Sequence, residues 1–518
     1  MGLVTSRNLG DLEYGFSTLV TLSTLLVGYF TYNYVLRRRE YEADMALASQ
    51  HGCQPMAVAY PVKWPLGFDV LKAQYINNAN KRLFAFQQPH IDNLGPNFSM
   101  TLLGNTGYTT LDPDNIEAML SSNFEDWCMG SRRNALHPFI GEGIFTQDGP
   151  AWKHSREMLR RPFLKTHYQD LKAFNQHVNN LISNLSSSTG VVDLQTHFYS
   201  FTLATTTTLI FGQAVESVEG EDRDTFANSF DYASWISSLR IRLQDFYWAC
   251  RTNRYGDSCR TVKDFAGGFV DEALKNTDKE ATAENSNGYA FIQDLYDELK
   301  DPVLVRDQLV NILLAGRDTT ACLLSWTFFL LVRHPSTLSR LCQEIQSIIG
   351  DEQELARAHI QKMSYLKCVL NETLRLYPPV PINVRIAQRT TTIPRGGGPD
   401  GTSPVLVRRG TGIGYIPYYL HRRKDLYGED ALDFRPERWE DGKLDSIGWG
   451  YLPFHAGPRA CLGKDFALME ASCAVVRIIQ TFPDIRVPPE EKIVPTGQEK
   501  QNLTIFLASA EGCRVLLQ

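Results

Sequence analysis

Residues 454–463 read Phe454-His455-Ala456-Gly457-Pro458-Arg459-Ala460-Cys461-Leu462-Gly463, a loop rich in glycine and proline that holds one cysteine. A helical pattern, Lys464–Ala471, follows at once. A cysteine at a helix N-terminus meets free N–H groups and the positive end of the helix dipole, which favours its thiolate form. Gly457 and Gly463 have no Cβ, so the backbone there can approach a large flat group. The alternative is an ordinary buried cysteine between a turn and a helix.

The loop resembles the haem-binding loop of the cytochrome P450 family at Phe454, Gly457, Arg459, Cys461 and Gly463. The resemblance implies that the cofactor is haem b (iron protoporphyrin IX), that Cys461 is the axial thiolate ligand of its iron, and that O2 is the co-substrate. It also implies that Phe454 and Gly463 contact the haem and that Arg459 binds one of its propionates.

The composition limits the remaining classes of protein. Of the 518 residues, 43% are hydrophobic and 21% are charged, and the net charge is -6. These are values of a large globular protein, and the mild acidity gives no indication of nucleic-acid binding. The ten cysteines are scattered without a C-x-x-C pair, so neither a zinc site nor a disulfide framework is indicated.

The N-terminal region predicts a membrane anchor. Residues 14–36 form a run of 23 without a charge, and a helix of that length spans a hydrocarbon core of about 30 Å. Three arginines at 37–39 follow, which places the rest of the chain on the cytosolic side. Serine and threonine dilute the run, so a surface helix and a cleaved signal peptide are the alternatives.

We therefore predict four parts: a short N-terminal segment 1–13, a transmembrane anchor 14–36, a linker 37–66 and a haem-thiolate monooxygenase domain 67–518. The predicted location is the endoplasmic reticulum membrane, with a single span and the catalytic domain in the cytosol. Membrane lipid is then one partner of the chain.

A long helical pattern begins at Asp301 and runs to about Arg333, far beyond the usual length of a globular helix. It is apolar almost all round, as expected for a helix through the middle of a large domain. Its centre contains Gly, Asp and Thr, which are poor helix formers, in the order Ala315-Gly316-Arg317-Asp318-Thr319-Thr320. A threonine hydroxyl in a helix bonds back to a carbonyl one turn earlier and bends the helix.

This centre resembles the A-G-x-D-T-T motif with which P450s cross the haem. The resemblance implies that Ala315 and Gly316 leave room for dioxygen and that Asp318 and Thr319 relay protons to it. The alternative is a kinked helix whose polar groups are satisfied internally.

Further motifs match the family in the expected order. Trp152 and Arg156 lie four residues apart on one helix face and resemble the family's propionate-binding pair. Arg385 matches a second propionate-binding arginine. Glu372 and Arg375 have the family's E-x-x-R spacing, and the resemblance implies a structural lock with residues 434–439.

The predicted fold is mainly α with a minor β part, the P450 fold. Residues 124–145 read as a loop, 390–416 as strand pieces broken by glycines, and 503–507 as a strand. The aromatic-rich segment 229–255 predicts core, and the alternatives are that it lines a substrate entrance or dips into the membrane beside the anchor.

Four segments resemble the fungal P450s that oxidise alkanes and fatty acids: Gly143–Thr146, Asn311–Ala321, Pro394–Gly398 and Phe454–Arg459. The implied reaction is hydroxylation of a hydrophobic substrate, a long-chain fatty acid or alkane, at or near its terminus. The alternative is a P450 that tailors a polyketide or terpenoid in secondary metabolism. His455 departs from the asparagine expected in this branch, and Lys464-Asp465 departs from a glutamine-rich pair.

Electrons must come from a partner, because no flavin or dinucleotide fingerprint is present. The resemblance implies NADPH–cytochrome P450 reductase, and a basic docking face is predicted at Lys153, Arg160, Arg161 and Lys464. A haem-thiolate isomerase or peroxide-using enzyme, and a non-catalytic haem carrier or sensor, are rival classes. The acid–alcohol pair Asp318-Thr319 argues against both.

Overall fold

The computed structural model describes residues 7–164, 171–188, 190–212, 214, 220–277, 290–350, 352 and 354–517. Residues 1–6 of the predicted N-terminal segment lie outside the described residues. Within the described ranges the chain is mainly helical with a minor β part, as predicted. The helices are α1 Arg7–Gln50, α2 Phe68–Ala79, α3 Leu83–Leu94, α4 Pro113–Glu117, α5 Arg132–Ile140, α6 Gly149–Leu164, α7 Lys172–Ser186, α8 Leu194–Phe211, α9 Gly220–Arg242, α10 Asn253–Thr277, α11 Ala290–Leu299, α12 Pro302–Leu331, α13 Pro335–Ile348, α14 Arg357–Lys362, α15 Ser364–Leu376, α16 Pro417–Leu420, α17 Lys424–Tyr427 and α18 Lys464–Thr481.

The β part consists of short strands at the edge of the helical body. The strands are β1 Asn97–Leu102, β2 Asn105–Thr110, β3 Trp127–Cys128, β4 Val191–Asp193, β5 Asn383–Ala387, β6 Thr391–Gly397, β7 Ser403–Val407, β8 Gly412–Tyr415, β9 Gln501–Leu503, β10 Leu507–Ser509 and β11 Arg514–Leu516. A five-stranded sheet has the order β1-β2-β8-β5-β3, in which β2 and β8 pair in parallel. Two-stranded pairs form between β6 and β7, β9 and β10, and β4 and β11.

The long helix α12 begins where the sequence predicts. The Asp301 side chain accepts from the first free backbone N–H groups, and Pro302 occupies the first turn. Apolar residues of α12 up to Leu314 belong to one hydrophobic core, and those from Leu323 onward belong to another. The polar motif at 315–320 therefore lies at the junction between two cores.

The predicted lock around Glu372 is confirmed. Glu372 and Arg375 are fully buried, and Arg375 Nη2 lies 2.8 Å from Glu372 Oε1. Arg438 Nε donates to Glu372 at 2.8 Å, and Trp439 Nε1 donates to it at 3.0 Å. Burial acts to raise the pKa of Glu372, but Arg375 and Arg438 outweigh it and hold the pKa below its ordinary value.

Two local predictions are wrong. Residues 124–145 are not a loop, since they contain β3 and α5, whose buried face includes Phe139 and Ile140. Residues 503–507 are not one strand but the turn between β9 and β10, closed by a bond from the Thr504 backbone N–H to Phe506 O at 3.0 Å. The strand pieces predicted in 390–416 are confirmed as β6, β7 and β8, with breaks at 398–402 and 408–411. The first break lies after Gly397, because a register shift after Ile393 lets β6 continue to that residue.

Helix α1 joins the predicted anchor and part of the predicted linker into one continuous element. The large apolar side chains between Leu22 and Leu36 are exposed. The end of the helix packs against the domain, where Arg408 pairs with Asp44 at 3.5 Å and lies over the ring of Tyr41. Within the described residues, no helix combines the length and the apolar character that a membrane span requires.

Candidate functional site

The loop before α18 holds Cys461 near several groups that favour an anion. The Cys461 backbone N–H donates to Phe454 O at 2.9 Å and closes the loop. The Cys461 side chain is exposed, yet the chain packed around it holds the pKa of the thiol above its ordinary value, against the Gly463 backbone N–H, Arg156 and Lys464. A thiolate at Cys461 stays a prediction. Coordination to a metal ion would produce it, because a coordinating thiol is deprotonated outright.

The two glycines of the loop have different neighbours. Gly457 has φ 69°, and a Cβ there would clash with the backbone carbonyl oxygen of Leu120. The close approach predicted at Gly457 is thus to the chain's own backbone, which corrects that interpretation. No atom lies within 4 Å of a Cβ built on Gly463, so open space next to the loop exists at Gly463.

Four guanidinium groups come together beside this loop, those of Arg132, Arg156, Arg385 and Arg459. Burial lowers the pKa of Arg459 to about 10, and the charges of the other three arginines add to the effect. Burial, followed by the charge of Arg385, likewise lowers the pKa of Arg132 to about 10. Among the ion pairs of the described residues, one carboxylate serves this cluster, that of Asp148, 2.7 Å from Arg459 Nη2.

The unbalanced positive charge fits the two propionates of the predicted haem, because buried charges require partners. Trp152 adds a second observation, since its Nε1 is buried and has no hydrogen-bond partner among the residues that the structure describes. The Trp152 ring also contacts two of the arginines, with Arg156 Cζ 5.9 Å and Arg459 Cζ 4.3 Å from its centre. The structure therefore brings together all four residues predicted to bind propionates, including Arg385.

The sequence did not predict Arg132 at this site. Arg132 Nη2 and Arg385 Nη1 donate to the same oxygen, Asn383 Oδ1, at 2.9 and 3.1 Å. Arg132 was missed because its helix lies in the stretch that reads as a loop. The signal available was a pair of arginines directly before the apolar face of α5.

On α12, Ala315, Gly316 and Thr319 share one face and keep partial exposure between buried neighbours. Thr319 Oγ1 donates to Ala315 O at 2.7 Å, the back-bond that the sequence predicts, and the helix continues through it. A Cβ on Gly316 would lie 2.5 Å from Thr206 Oγ1 of α8. Gly316 is thus required by helix packing, whereas room for dioxygen at this residue stays a prediction.

Asp318 is buried, and two ion pairs in succession link it to the protein surface. Arg317 Nη1 lies 3.1 Å from Asp318 Oδ1 and also pairs with Asp231 of α9, whose side chain is 60% exposed. Burial raises the pKa of Asp318 to about 6, against the effect of Arg317. Burial acts to lower the pKa of Arg317, but the two carboxylates hold it above its ordinary value. A carboxyl group with a pKa near 6 can take up and release protons near neutral pH.

Two of the four segments that resemble the fungal group contact each other. The Phe145 backbone N–H donates to Asn311 Oδ1 at 3.2 Å, and Asn311 Nδ2 donates to Ile140 O at 2.9 Å. A Cβ on Gly143 would lie 2.5 Å from Asn311 Nδ2. The loop 143–146 is therefore fixed to α12 one turn before Ala315.

The aromatic segment 229–255 is partly core, and its role at a substrate entrance or in the membrane stays a prediction. Phe230 and Tyr255 are buried, as expected for core. Trp235, Phe246 and Trp248 are 47%, 41% and 62% exposed, so the segment also presents aromatic rings to its surroundings.

Comparison with known proteins covers nearly the whole chain. The family model described as Cytochrome P450 matches residues 59–509. A protein named Cytochrome P450 from Arthroderma benhamiae is 42% identical over 96% of this chain and 98% of its own length. Cytochrome P450 52A13 from Debaryomyces hansenii is 37% identical over 92% of this chain and 93% of its own length. Cytochrome P450 52A10 from Candida maltosa is 37% identical over 96% of this chain and 97% of its own length.

Proposed function

The chain belongs to the cytochrome P450 family, and from this premise we propose that it hydroxylates a long-chain fatty acid or alkane at or near the chain terminus. It is a haem-thiolate monooxygenase that contains haem b, uses O2 and receives electrons from a reductase. When bound, the haem supplies oxygen activation, which a thiolate ligand promotes by donating electron density to the iron.

In this proposal, Cys461 supplies the thiolate ligand from the loop before α18. Trp152, Arg156, Arg385 and Arg459 hold the propionates, which their convergence and the unpaired Trp152 Nε1 support. Phe454 and Gly463 border the cofactor on the Cys461 side. Together the three arginines neutralise the two carboxylates, whose charge burial would otherwise disfavour.

On the opposite side of the site, Ala315 and Gly316 provide a surface without bulky side chains. Thr319 holds a hydroxyl at this surface, and Asp318 passes protons to it. Asp231 and Arg317 connect Asp318 to solvent, and the pKa of Asp318 of about 6 suits repeated protonation at neutral pH.

The observation that carries the substrate proposal is the contact between Asn311 and the Gly143–Thr146 loop. Both belong to segments that resemble the fungal alkane- and fatty-acid-oxidising members, and their contact fixes a loop one turn from Ala315. Partly buried apolar side chains from distant segments border the same core, among them Phe145, Val380 and Ile505. An alkyl chain is the substrate class that such a surface favours.

We also propose NADPH–cytochrome P450 reductase as the electron donor. Lys153, Arg160 and Lys464 are exposed, which a basic docking face requires. Lys464 begins α18 directly after the Cys461 loop, and Lys153 and Arg160 lie on α6, whose Trp152 ring contacts Arg459 of that loop. The side chain of Arg161 lies outside the described residues. Electron transfer to the haem should then slow as ionic strength rises.

For location, we propose that residues 14–36 attach the domain to the endoplasmic reticulum membrane, with the domain in the cytosol. The exposed apolar side chains from Leu22 to Leu36 support attachment. Extraction of membranes at alkaline pH distinguishes the arrangements, because a spanning helix stays in the membrane and a surface helix is released.

The decisive experiment combines the purified chain, reductase and NADPH with fatty acids and alkanes of graded length. We expect substrate-dependent NADPH use and a terminal or near-terminal alcohol, with no product from Cys461→Ala. Failure of every substrate to give product would refute the proposal. Product from polyketides or terpenoids alone would support the alternative class, and product from peroxide without reductase would support a peroxide-using enzyme.

A further inference from the structure

His455 follows Phe454 in the Cys461 loop and has an uncommon backbone conformation. Its φ is 55°, in the left-handed region that asparagine, aspartate and histidine adopt more readily than other side chains with a Cβ. Its ring packs edge-on against Tyr415, with 5.8 Å between ring centres. Two arginines of the cluster, Arg132 and Arg385, lie close enough to affect its charge.

Asn383 fixes which ring nitrogen of His455 carries the hydrogen. Asn383 Oδ1 accepts from Arg132 Nη2, Arg385 Nη1 and the Val384 backbone N–H, so the amide oxygen faces three donors. The amide nitrogen of Asn383 must therefore face His455, and it lies 3.1 Å from His455 Nε2. Because the amide nitrogen is a donor, Nε2 of the histidine is the acceptor.

The other ring nitrogen, Nδ1, then carries the hydrogen. Burial, with a smaller contribution from the charges of Arg385 and Arg132, lowers the pKa of His455 to about 3, so the ring is neutral at physiological pH. Nδ1 is buried and has no hydrogen-bond partner within the described part of the chain. A buried N–H without an acceptor is costly, which indicates an acceptor that the chain does not provide.

A second buried histidine shows the usual arrangement. His421 Nδ1 lies 3.2 Å from Arg375 O, and its Nε2 accepts from the Leu452 backbone N–H at 2.8 Å. Its pKa is also about 3, chiefly because of burial. The described part of the chain thus provides hydrogen-bond partners for both ring nitrogens of His421 but for only one ring nitrogen of His455.

We propose that His455 Nδ1–H donates a hydrogen bond to a haem propionate and acts as a neutral donor beside the arginine cluster. The proposal rests on the assignment of that cluster to the propionates. A neutral donor differs from the arginines in one respect, because it binds the carboxylate without adding charge to a site that already holds four guanidinium groups. His455 is a cofactor-binding residue in this view and takes no part in the hydroxylation itself.

Resonance Raman spectra of the ferric holoprotein test the proposal, since the propionate bending mode responds to hydrogen bonds at the carboxylate. His455→Phe keeps a ring but removes the donor, and we expect the mode to shift. We also expect haem transfer to apomyoglobin to be about ten-fold faster or more, as the loss of one hydrogen bond to a charged group implies. His455→Asn places an N–H where Nδ1 lies and tolerates the left-handed backbone, so it should retain the wild-type mode and rate.

The control variant is His421→Phe, which removes a satisfied histidine and should destabilise the fold without moving the propionate mode. If His455→Phe does not bind haem, His455→Gln replaces it, because the glutamine amide cannot reach the position of Nδ1. An unchanged mode in the donor-free variant, or equal shifts in His455→Phe and His455→Asn, would overturn the proposal. If Arg459→Gln also left the propionate mode unchanged, the assignment of the arginine cluster to the propionates would fail as well. If the mode shifted in Arg459→Gln but not in His455→Phe, only the hydrogen bond from His455 would be rejected.

Discussion

Replacing Gly316 by alanine separates two explanations of the glycine in the central helix. One explanation is space for dioxygen, and the other is close packing of α12 against α8. The structure supports packing, because the added Cβ would lie 2.5 Å from Thr206 Oγ1 and 2.9 Å from Thr206 Cγ2. Both atoms belong to a side chain that is itself buried, so neither can move into solvent.

The expected cost follows from two opposing effects. Overpacking of a well-filled interior costs about 1–3 kcal/mol. Alanine is the better helix former by about 1 kcal/mol, which offsets part of that cost. We therefore expect Gly316→Ala to lower the free energy of unfolding by up to about 2 kcal/mol. Thr206→Ala should relieve the clash at little cost of its own, because Thr206 Oγ1 has no hydrogen-bond partner in the structure.

Urea unfolding of the two single variants and the double variant measures the coupling between the sites. The matched control is Gly268→Ala in α10, where no atom lies within 4 Å of the new Cβ and the substitution should stabilise the protein. A Gly316→Ala protein stabilised as much as Gly268→Ala, or one equally destabilised in the presence and absence of Thr206→Ala, would refute the packing argument. If space for dioxygen decides instead, product formed per NADPH falls in Gly316→Ala and Thr206→Ala does not restore it.

Three further predictions concern buried carboxyl groups. Glu372→Gln leaves buried arginines uncompensated and should lower the free energy of unfolding by about 3–5 kcal/mol, measured by heat or urea. The control Glu440→Gln breaks a half-exposed ion pair and should lower it by at most about 1 kcal/mol. Asp318→Asn should slow hydroxylation by about 10²–10⁴-fold and remove an inflection near pH 6 from the pH dependence of the rate. An inflection that persists in the variant would assign the proton relay to another group. Glu470 is buried with Thr205 as donor, and burial raises its pKa from the ordinary 4.5 to about 8. Between pH 4.5 and 8 the folded protein keeps a proton on Glu470 that the unfolded chain releases, so the free energy of unfolding of wild type should fall over this range relative to Glu470→Gln. The same pH dependence in urea unfolding of the two proteins would contradict this expectation.

Local signals were sufficient for the features that lie along one segment. The cap at Asp301 determined where α12 begins, and the spacing of Trp152 and Arg156 placed both on one helix face. In each case the partners are a few residues apart, so the geometry of a helix fixes their distance. The fold class came from the resemblance to the cytochrome P450 family, whose motifs each lie within one segment of the chain.

Contacts between distant segments could not be predicted in this way. Arg132 and Arg385 meet at Asn383, and Thr206 meets Gly316, although more than a hundred residues separate the partners in each case. Spacing along the chain says nothing about such pairs, because tertiary packing decides them. Only the unusual residue itself, such as the histidine at 455, was visible in the sequence.

Helix α1 also determines how the domain is oriented relative to the apolar half of that helix. It is continuous from Arg7 to Gln50, and its last turns are attached to the domain through Asp44 and Tyr41. Each residue of an α-helix turns the chain by about 100° about the helix axis, so the number of residues between Leu36 and Tyr41 sets which side of the domain the apolar half of α1 faces. One inserted residue would rotate that half by more than a quarter of a turn, whereas an insertion of about seven would nearly restore its angle. The number of residues between Leu36 and Tyr41 therefore determines how the domain is oriented relative to the apolar half of α1.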